Sequence, residues 1–143
     1  MSFKHHQLTL ETKQPIEIRE ITPLVKDFVT GLPSKDGILI VASPHTTLGV
    51  VLNERCEELQ KDMLEFLRRL APAEGRYLHN RVAVDGRPNA HSHLLSLVIP
   101  SQVTLVVAQG RLQMGEWQSI FAVEMDGPRR ERKIELSFFS TLS

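Results

Sequence analysis

The sequence predicts an α+β domain, mainly an antiparallel β-sandwich of jelly-roll-like character with two or three helices. Three observations carry that expectation. About seven or eight runs are β-branched or alternate with a period of two, only two or three stretches show helical apolar spacing, and turn residues close a C-terminal pair of strands. A chain of 143 residues, 41% of them hydrophobic, has the size and apolar content of one domain, here read as residues 1–143.

From the N-terminus, His6, Leu8 and Leu10 alternate with Gln7 and Thr9, then Ile16 and Ile18 with Glu17 and Arg19, so both stretches read as strands. Thr22-Pro23 is a helix start, a hydroxyl cap before a proline whose missing N–H is not needed there. The stripe Leu24, Val25, Phe28 and Val29 follows and ends at Gly31. "GILIVAS" at 37–43 and "LGVVL" at 48–52 are β-branched and read as strands. The clearest helix is 54–70, where Cys56, Leu59, Met63, Phe66, Leu67 and Leu70 fall on one face. Asn53 is its expected cap, and Cys56 is read as packing rather than as a nucleophile. Residues 71–88 read as loop. A short helix is expected from Ala90 to about Val98 with Asn89 as cap, then a strand from 103, a turn at Gly110 and a further strand start. Residues 117–125 and 134–138 alternate on either side of "DGPRR", which predicts a hairpin with Trp117 and Phe121 in the core.

Charge excludes some functions. Seventeen basic residues balance seventeen acidic ones, so no global field recruits nucleic acid or an anionic membrane. No apolar run approaches the ~20 residues that span a bilayer. The N-terminus lacks a signal-peptide layout and the single cysteine rules out an intrachain disulfide framework, so a cytoplasmic location is expected.

Four of the six histidines, His45, His79, His91 and His93, sit in the middle of the chain. Neutral imidazole is the commonest metal ligand, and three histidines plus a water make a familiar zinc site. Ordinary polar loop histidines give the same pattern, and chance often supplies a motif as short as HxH. On a strand, His91 and His93 would face the same side. On a helix they lie about 200° apart, so one would be a ligand and the other a second contact; spacing does not choose between them. Thr46 and Thr47 suit phosphate binding and a strand start equally. Asp62, at the shoulder of the helical stripe, fits a partner for a histidine N–H or a boundary residue in water. Arg111, Arg129 and Arg130 flank turns, where arginine can match phosphate or simply be solvated. His5 and His6 are strand or terminal residues.

"HTTLGVVLNE", "DMLEFLRRLAP", "YLHN", "NAHSHL" and "GRLQMGEWQSIFAVEMDGPRRERKI" resemble, in order and spacing, the motifs of the YjbQ family over about positions 36–139. That family is named for a secondary thiamine-phosphate synthase activity. The resemblance implies a β-rich sandwich, a homotrimer, and a histidine-lined cavity near subunit contacts that takes a divalent metal. Zinc is the metal expected, with magnesium an option for a diphosphate substrate. Carried over by residue, His45, His79 and His93 are the metal candidates, the position of His91 being more permissive. Asp62, Glu54, Thr46, Thr47 and Gln118 are the catalytic candidates. Asn89, His91, Arg111, Trp117 and Arg129 are the candidates for substrate contact. Two positions depart from the pattern: Glu116 stands where threonine is usual, which adds a carboxylate beside Trp117-Gln118, and Val106 stands where proline is usual.

The activity so implied joins hydroxymethylpyrimidine diphosphate to thiazole phosphate, with arginines, threonines and a metal neutralising the departing pyrophosphate. One rival is a metal-dependent hydrolase or lyase with Asp62 or Glu54 as base. Another is a non-enzymatic trimer that binds a small ligand.

Overall fold

The computed structural model describes residues 1–140. Eight strands and three α-helices follow one another: β1 (Ser2–Thr12), β2 (Glu17–Glu20), α1 (Thr22–Thr30), β3 (Gly37–Ala42), β4 (Leu48–Glu54), α2 (Glu57–Leu70), α3 (Ala90–Leu95), β5 (Gln102–Ala108), β6 (Arg111–Leu112), β7 (Gln118–Glu124) and β8 (Arg129–Ser140). A short 3-10 turn at His79–Arg81 interrupts the predicted loop. The strands form a five-stranded sheet in the order β1-β8-β3-β5-β6 and a three-stranded sheet in the order β2-β7-β4. Every ladder is antiparallel. The predicted α+β, antiparallel class is the one observed.

The core explains the layering. Leu8, Leu39, Val41, Leu105, Val107, Ile134, Leu136 and Phe138 from the larger sheet pack against Leu48, Val50, Ile120 and Ala122 of the smaller one, with Val25 and Val29 of α1 beside them. A second cluster covers the other face of the small sheet, where Val123 and Met125 meet Leu67 and Ala71 at the end of α2 and Leu95 of α3. The order of layers is therefore large sheet, small sheet, then α2 and α3, with α1 beside the core between the sheets. Strand β7 is buried on both faces, which is why residues 120–126 are buried without interruption. At Gln109-Gly110 both φ values are positive (54° and 74°), the conformation of a type I′ two-residue turn, which pairs Ala108 with Arg111 as the glycine predicted.

Several local expectations are corrected. Residues 117–138 are not a hairpin: β7 pairs with β2 and β4, whereas β8 pairs with β1 and β3, so "DGPRR" carries the chain from one sheet to the other. The crossing presses against the chain at 14–15. Gly127 N–H donates to Pro15 O at 3.0 Å, and a Cβ on Gly127 would lie 2.0 Å from Gln14 O, so only glycine fits. Neither predicted asparagine caps its helix with its side chain. β4 extends through Asn53, and Gln60 of α2 reaches back instead, accepting from Cys56 N–H at 3.0 Å and donating to Glu54 O at 2.9 Å. At α3, Asn80 Oδ1 accepts the Ala90 N–H at 3.0 Å, which leaves Asn89 for another task. Thr22 is the first helical residue of α1 rather than its cap, and its hydroxyl accepts Ile120 N–H at 2.8 Å, tying helix to sheet. Cys56 is exposed. On α2 only Leu67 of the predicted stripe is fully buried, and Phe66 and Leu70 face outward.

Candidate functional site

The site grows from the end of β7. Glu124 is 1% and Arg132 of β8 is 4% exposed, and an isolated charge at such depth would cost several kcal/mol. They satisfy each other side-on, Arg132 Nη2 to Oε1 at 2.6 Å and Nε to Oε2 at 2.7 Å. Thr12 Oγ1 donates to Glu124 at 2.8 Å, and the Asp126 backbone N–H donates to it at 3.0 Å. Arg132 Nη2 also donates to Thr47 Oγ1 at 2.8 Å, which fixes the segment after β3. Two residues on, Asp126 receives Arg87 Nη2 on Oδ1 and both Arg129 Nη2 and Asn89 Nδ2 on Oδ2, each at 2.8 Å. Because the Asn89 amide nitrogen faces Asp126, its Oδ1 is left to accept from His79 Nε2 at 3.3 Å.

Burial alone would raise the Glu124 carboxyl. Arg132, the Asp126 N–H and Thr12 together outweigh it and hold the group below the ordinary range. Asp126 behaves in the same way, its burial outweighed by Arg87, Asn89 and Arg129. His45 is lowered by burial first and then by the Arg132 guanidinium, both of which disfavour the charged ring. His91 is also lowered, chiefly by burial.

Above this network lies a cleft of about 330 Å³ walled by His45, Thr46, Thr47, Asn89, His93, Asp126, Arg129 and Arg132, with Asp85 at its margin. An adjoining hollow of about 650 Å³ is walled by Tyr77, Leu78, His79, Ala90, His93 and Leu94 and is mostly apolar; His93 belongs to both. A larger groove of about 720 Å³ between β1 and α1 carries His5 and His6, but its walls do not draw in the network's arginines. Convergent charge, not volume, marks the cleft as the candidate site.

Six predicted site residues thus meet in the cleft: His45, Thr46, Thr47, Asn89, His93 and Arg129. His79 stands beside it, its ring centroid 5.0 Å from that of His93 in an edge-on arrangement. Helical geometry separates the HxH pair as expected, with His93 facing the cleft. His91 lines neither hollow: its Nδ1 is buried without a partner and its Nε2 lies 3.4 Å from Ser92 Oγ.

Five further candidates lie elsewhere in the chain. Glu54 and Gln118 pair at the opposite end of β4 and β7, six residues or ~20 Å from the Leu48–Glu124 pair, and Trp117 precedes them, 70% exposed. Arg111 lies by Lys26 and Thr30 of α1. Asp62 is exposed on α2, and its carboxylate has no hydrogen bond or ion pair among the described residues. The sequence reading missed Glu124, Asp126, Arg132, Arg87 and Thr12. The signal for the first three was a pair of acids ending an apolar strand, in "FAVEMDG", with arginines directly behind; Arg87 and Thr12 carried none.

The Lys133 backbone N–H donates to His45 Nε2 at 2.9 Å, so that nitrogen is occupied. No group of three or more His, Cys, Asp or Glu among the described residues is arranged to hold a metal. No helix of the described residues is long and apolar enough to cross a membrane.

Similarity to known proteins agrees with the geometry. A family model described as "UPF0047 protein YjbQ-like" matches residues 6–141. A UPF0047 protein of Archaeoglobus fulgidus is 39% identical over 128 residues, 90% of this chain and 96% of that protein. The UPF0047 protein YjbQ of Salmonella typhimurium is 34% identical, covering 86% of this chain and 90% of its own length. Two crystal structures superpose closely. A YbjQ-like protein of unknown function from Sulfolobus solfataricus has a TM-score of 0.90 at 30% identity and covers 96% of each chain. A hypothetical protein from Aeropyrum pernix K1 has a TM-score of 0.89 at 36% identity and covers 96% of this chain and 98% of that one. The family-model match, these relatives and the shared two-sheet fold make the chain a member of the YjbQ-like UPF0047 family.

Proposed function

We propose that the chain is a weak thiamine-phosphate synthase, a cytoplasmic transferase that joins hydroxymethylpyrimidine diphosphate to thiazole phosphate and releases pyrophosphate. The observation that carries this reading is the cleft at the end of β7, where two hydroxyls and two arginines surround a space of phosphate size. In the reaction the bond from the pyrimidine methylene to the diphosphate oxygen breaks, and its electron pair leaves with pyrophosphate. The thiazole nitrogen lone pair forms the new C–N bond. The main demand on the protein is to neutralise the leaving oxygens. Arg129 and Arg132 are held by Asp126 and Glu124 through Nε and Nη2, so Nη1 of each remains for the ligand, beside the exposed Thr46.

This chemistry needs no protein base, because the thiazole nitrogen is already a nucleophile. The hydrolase alternative needs a carboxylate to activate water. Asp62 and Glu54, its candidates, lie outside the cleft, Glu124 and Asp126 are already engaged by arginines, and Asp85 accepts the Arg87 backbone N–H, so a hydrolase would have to rely on Asp85. The carboxylates named for hydrolysis are thus outside the cleft, whereas the hydroxyls and arginines that transfer needs line it. A divalent cation enters the proposal with the diphosphate, or beside the His79–His93 pair with ligands from a neighbouring copy. Assembly as a homotrimer is supported by Leu78, Val82, Val84, Leu97 and Val98, all at least 61% exposed on the segment that carries the histidines.

The test is to incubate purified protein with both substrates and magnesium and to measure thiamine phosphate. The expected result is slow product formation that Arg129→Ala with Thr46→Val reduces at least ~10-fold. Absence of product from folded wild type that still binds pyrophosphate would leave a ligand-binding protein in place of the enzyme.

A further inference from the structure

We infer that His45 is locked in one tautomer, with its proton on Nδ1, and serves as a neutral hydrogen-bond donor to an oxyanion in the cleft. The lock follows from what a backbone amide can do. The Lys133 N–H only donates, and it points at His45 Nε2 from 2.9 Å, so Nε2 presents its lone pair. In a neutral imidazole the proton then sits on Nδ1. The Lys133 N–H has a topological reason to seek this partner. The β3–β8 ladder ends at the Ala42–Glu135 pair, and Lys133 lies just past that end, where β3 offers it no carbonyl. His45, three residues beyond β3, continues the ladder with its ring.

The base of the side chain is fixed as well. His45 N–H donates to Ser43 Oγ at 3.1 Å, and that hydroxyl donates back to His45 O at 3.3 Å. With both ends held, the remaining nitrogen has no hydrogen-bond partner among the described residues, is not buried, and belongs to a ring in the wall of the cleft beside Thr46, Arg129 and Arg132.

Such a group gives a proton-bearing face to the ligand and cannot accept a proton there, which excludes it as a general base at Nδ1. Neutral imidazole donors of this kind polarise oxygen without carrying net charge. The fitting ligand chemistry is a phosphate or diphosphate oxygen. The ligand half of this inference rests on the phosphate-binding reading above; the tautomer does not.

Two-bond proton–nitrogen correlation spectra of uniformly labelled full-length protein test both halves. The expected spectrum at pH 7 gives His45 the Nδ1–H pattern, and its Nδ1 resonance shifts when inorganic pyrophosphate is added. His45→Gln keeps an oxygen for Lys133 and an amide N–H for the ligand, so it should bind pyrophosphate within ~3-fold of wild type. His45→Ala should bind roughly 10- to 100-fold more weakly, the range for a hydrogen bond to a charged group. An Nε2–H or doubly protonated ring overturns the lock. An unmoved Nδ1 resonance in protein that binds pyrophosphate by calorimetry overturns the donor role and leaves the cleft. Absence of any binding overturns the donor role together with the phosphate-site reading, while the tautomer stays legible in the same spectrum.

Discussion

The two ends of strand β7 carry residues of the same sequence block and have opposite fates. At the C-terminal end Glu124 and Asp126 are buried and fully engaged by arginines, a threonine and an asparagine. At the N-terminal end Trp117 is 70% exposed, and the Gln118 side chain only closes a local turn, accepting Gly115 N–H at 2.8 Å. The contrast teaches that a motif can have two kinds of reason. One end is explained by interactions within the chain, which hold Thr47, Asn89 and Arg129 around a cleft. The other presents a large aromatic to its surroundings, as a surface does when it meets another molecule.

Glu124→Gln breaks the first end hardest. It leaves Arg132 buried without its carboxylate, and the expected cost is about 3–5 kcal/mol in urea unfolding. A loss under ~1 kcal/mol would mean the pair is not the keystone assigned to it. Asn89→Ala removes the donor to Asp126 and the acceptor for His79, with an expected loss of ~1–3 kcal/mol and a mobile His79 ring seen by NMR.

Acid sharpens the comparison further. Glu124 and Asp126 titrate below their ordinary values when folded, so the stability they contribute is present above that range and is lost as pH falls through it. His45 is also lowered. Below about pH 6.5 the unfolded chain takes up a proton that the folded chain resists, so stability again falls with pH. Urea midpoints measured from pH 7.5 down to 4 should decline continuously, and His45→Gln should flatten the upper part of that decline. At the other end of β7, Trp117→Ala should change the stability of a single chain by no more than ~0.5 kcal/mol. A change in the mass seen by sedimentation would assign Trp117 to a contact between copies.

Much of this architecture was legible in the residues. The alternation at 6–10, the β-branched runs at 37–43 and 48–52 and the apolar stripe on α2 each marked an element of the right type, because burial imposes its period on sequence directly. Partnership left no such mark. Strands 118–124 and 129–140 look like a hairpin until the first is seen to be buried on both faces, and Asn89 looks like a cap until Asp126 takes its amide. His45, Thr46, Thr47, His93 and Arg129 stood out by residue type and position, the resemblance added Asn89 to the site, and the fold brings all six together. Glu124 could not be told from a solvent-facing strand residue, since alternation cannot distinguish solvent from a buried arginine.

Titration calorimetry with inorganic pyrophosphate tests the central claim most directly, comparing wild type with Arg129→Ala and Thr46→Val. The arrangement at the end of β7 predicts binding by the wild-type chain and at least ~10-fold weaker binding by the double variant, with unfolding curves confirming that both are folded. Wild-type protein that takes up no pyrophosphate, or a double variant that binds it equally well, would contradict the assignment of this cleft.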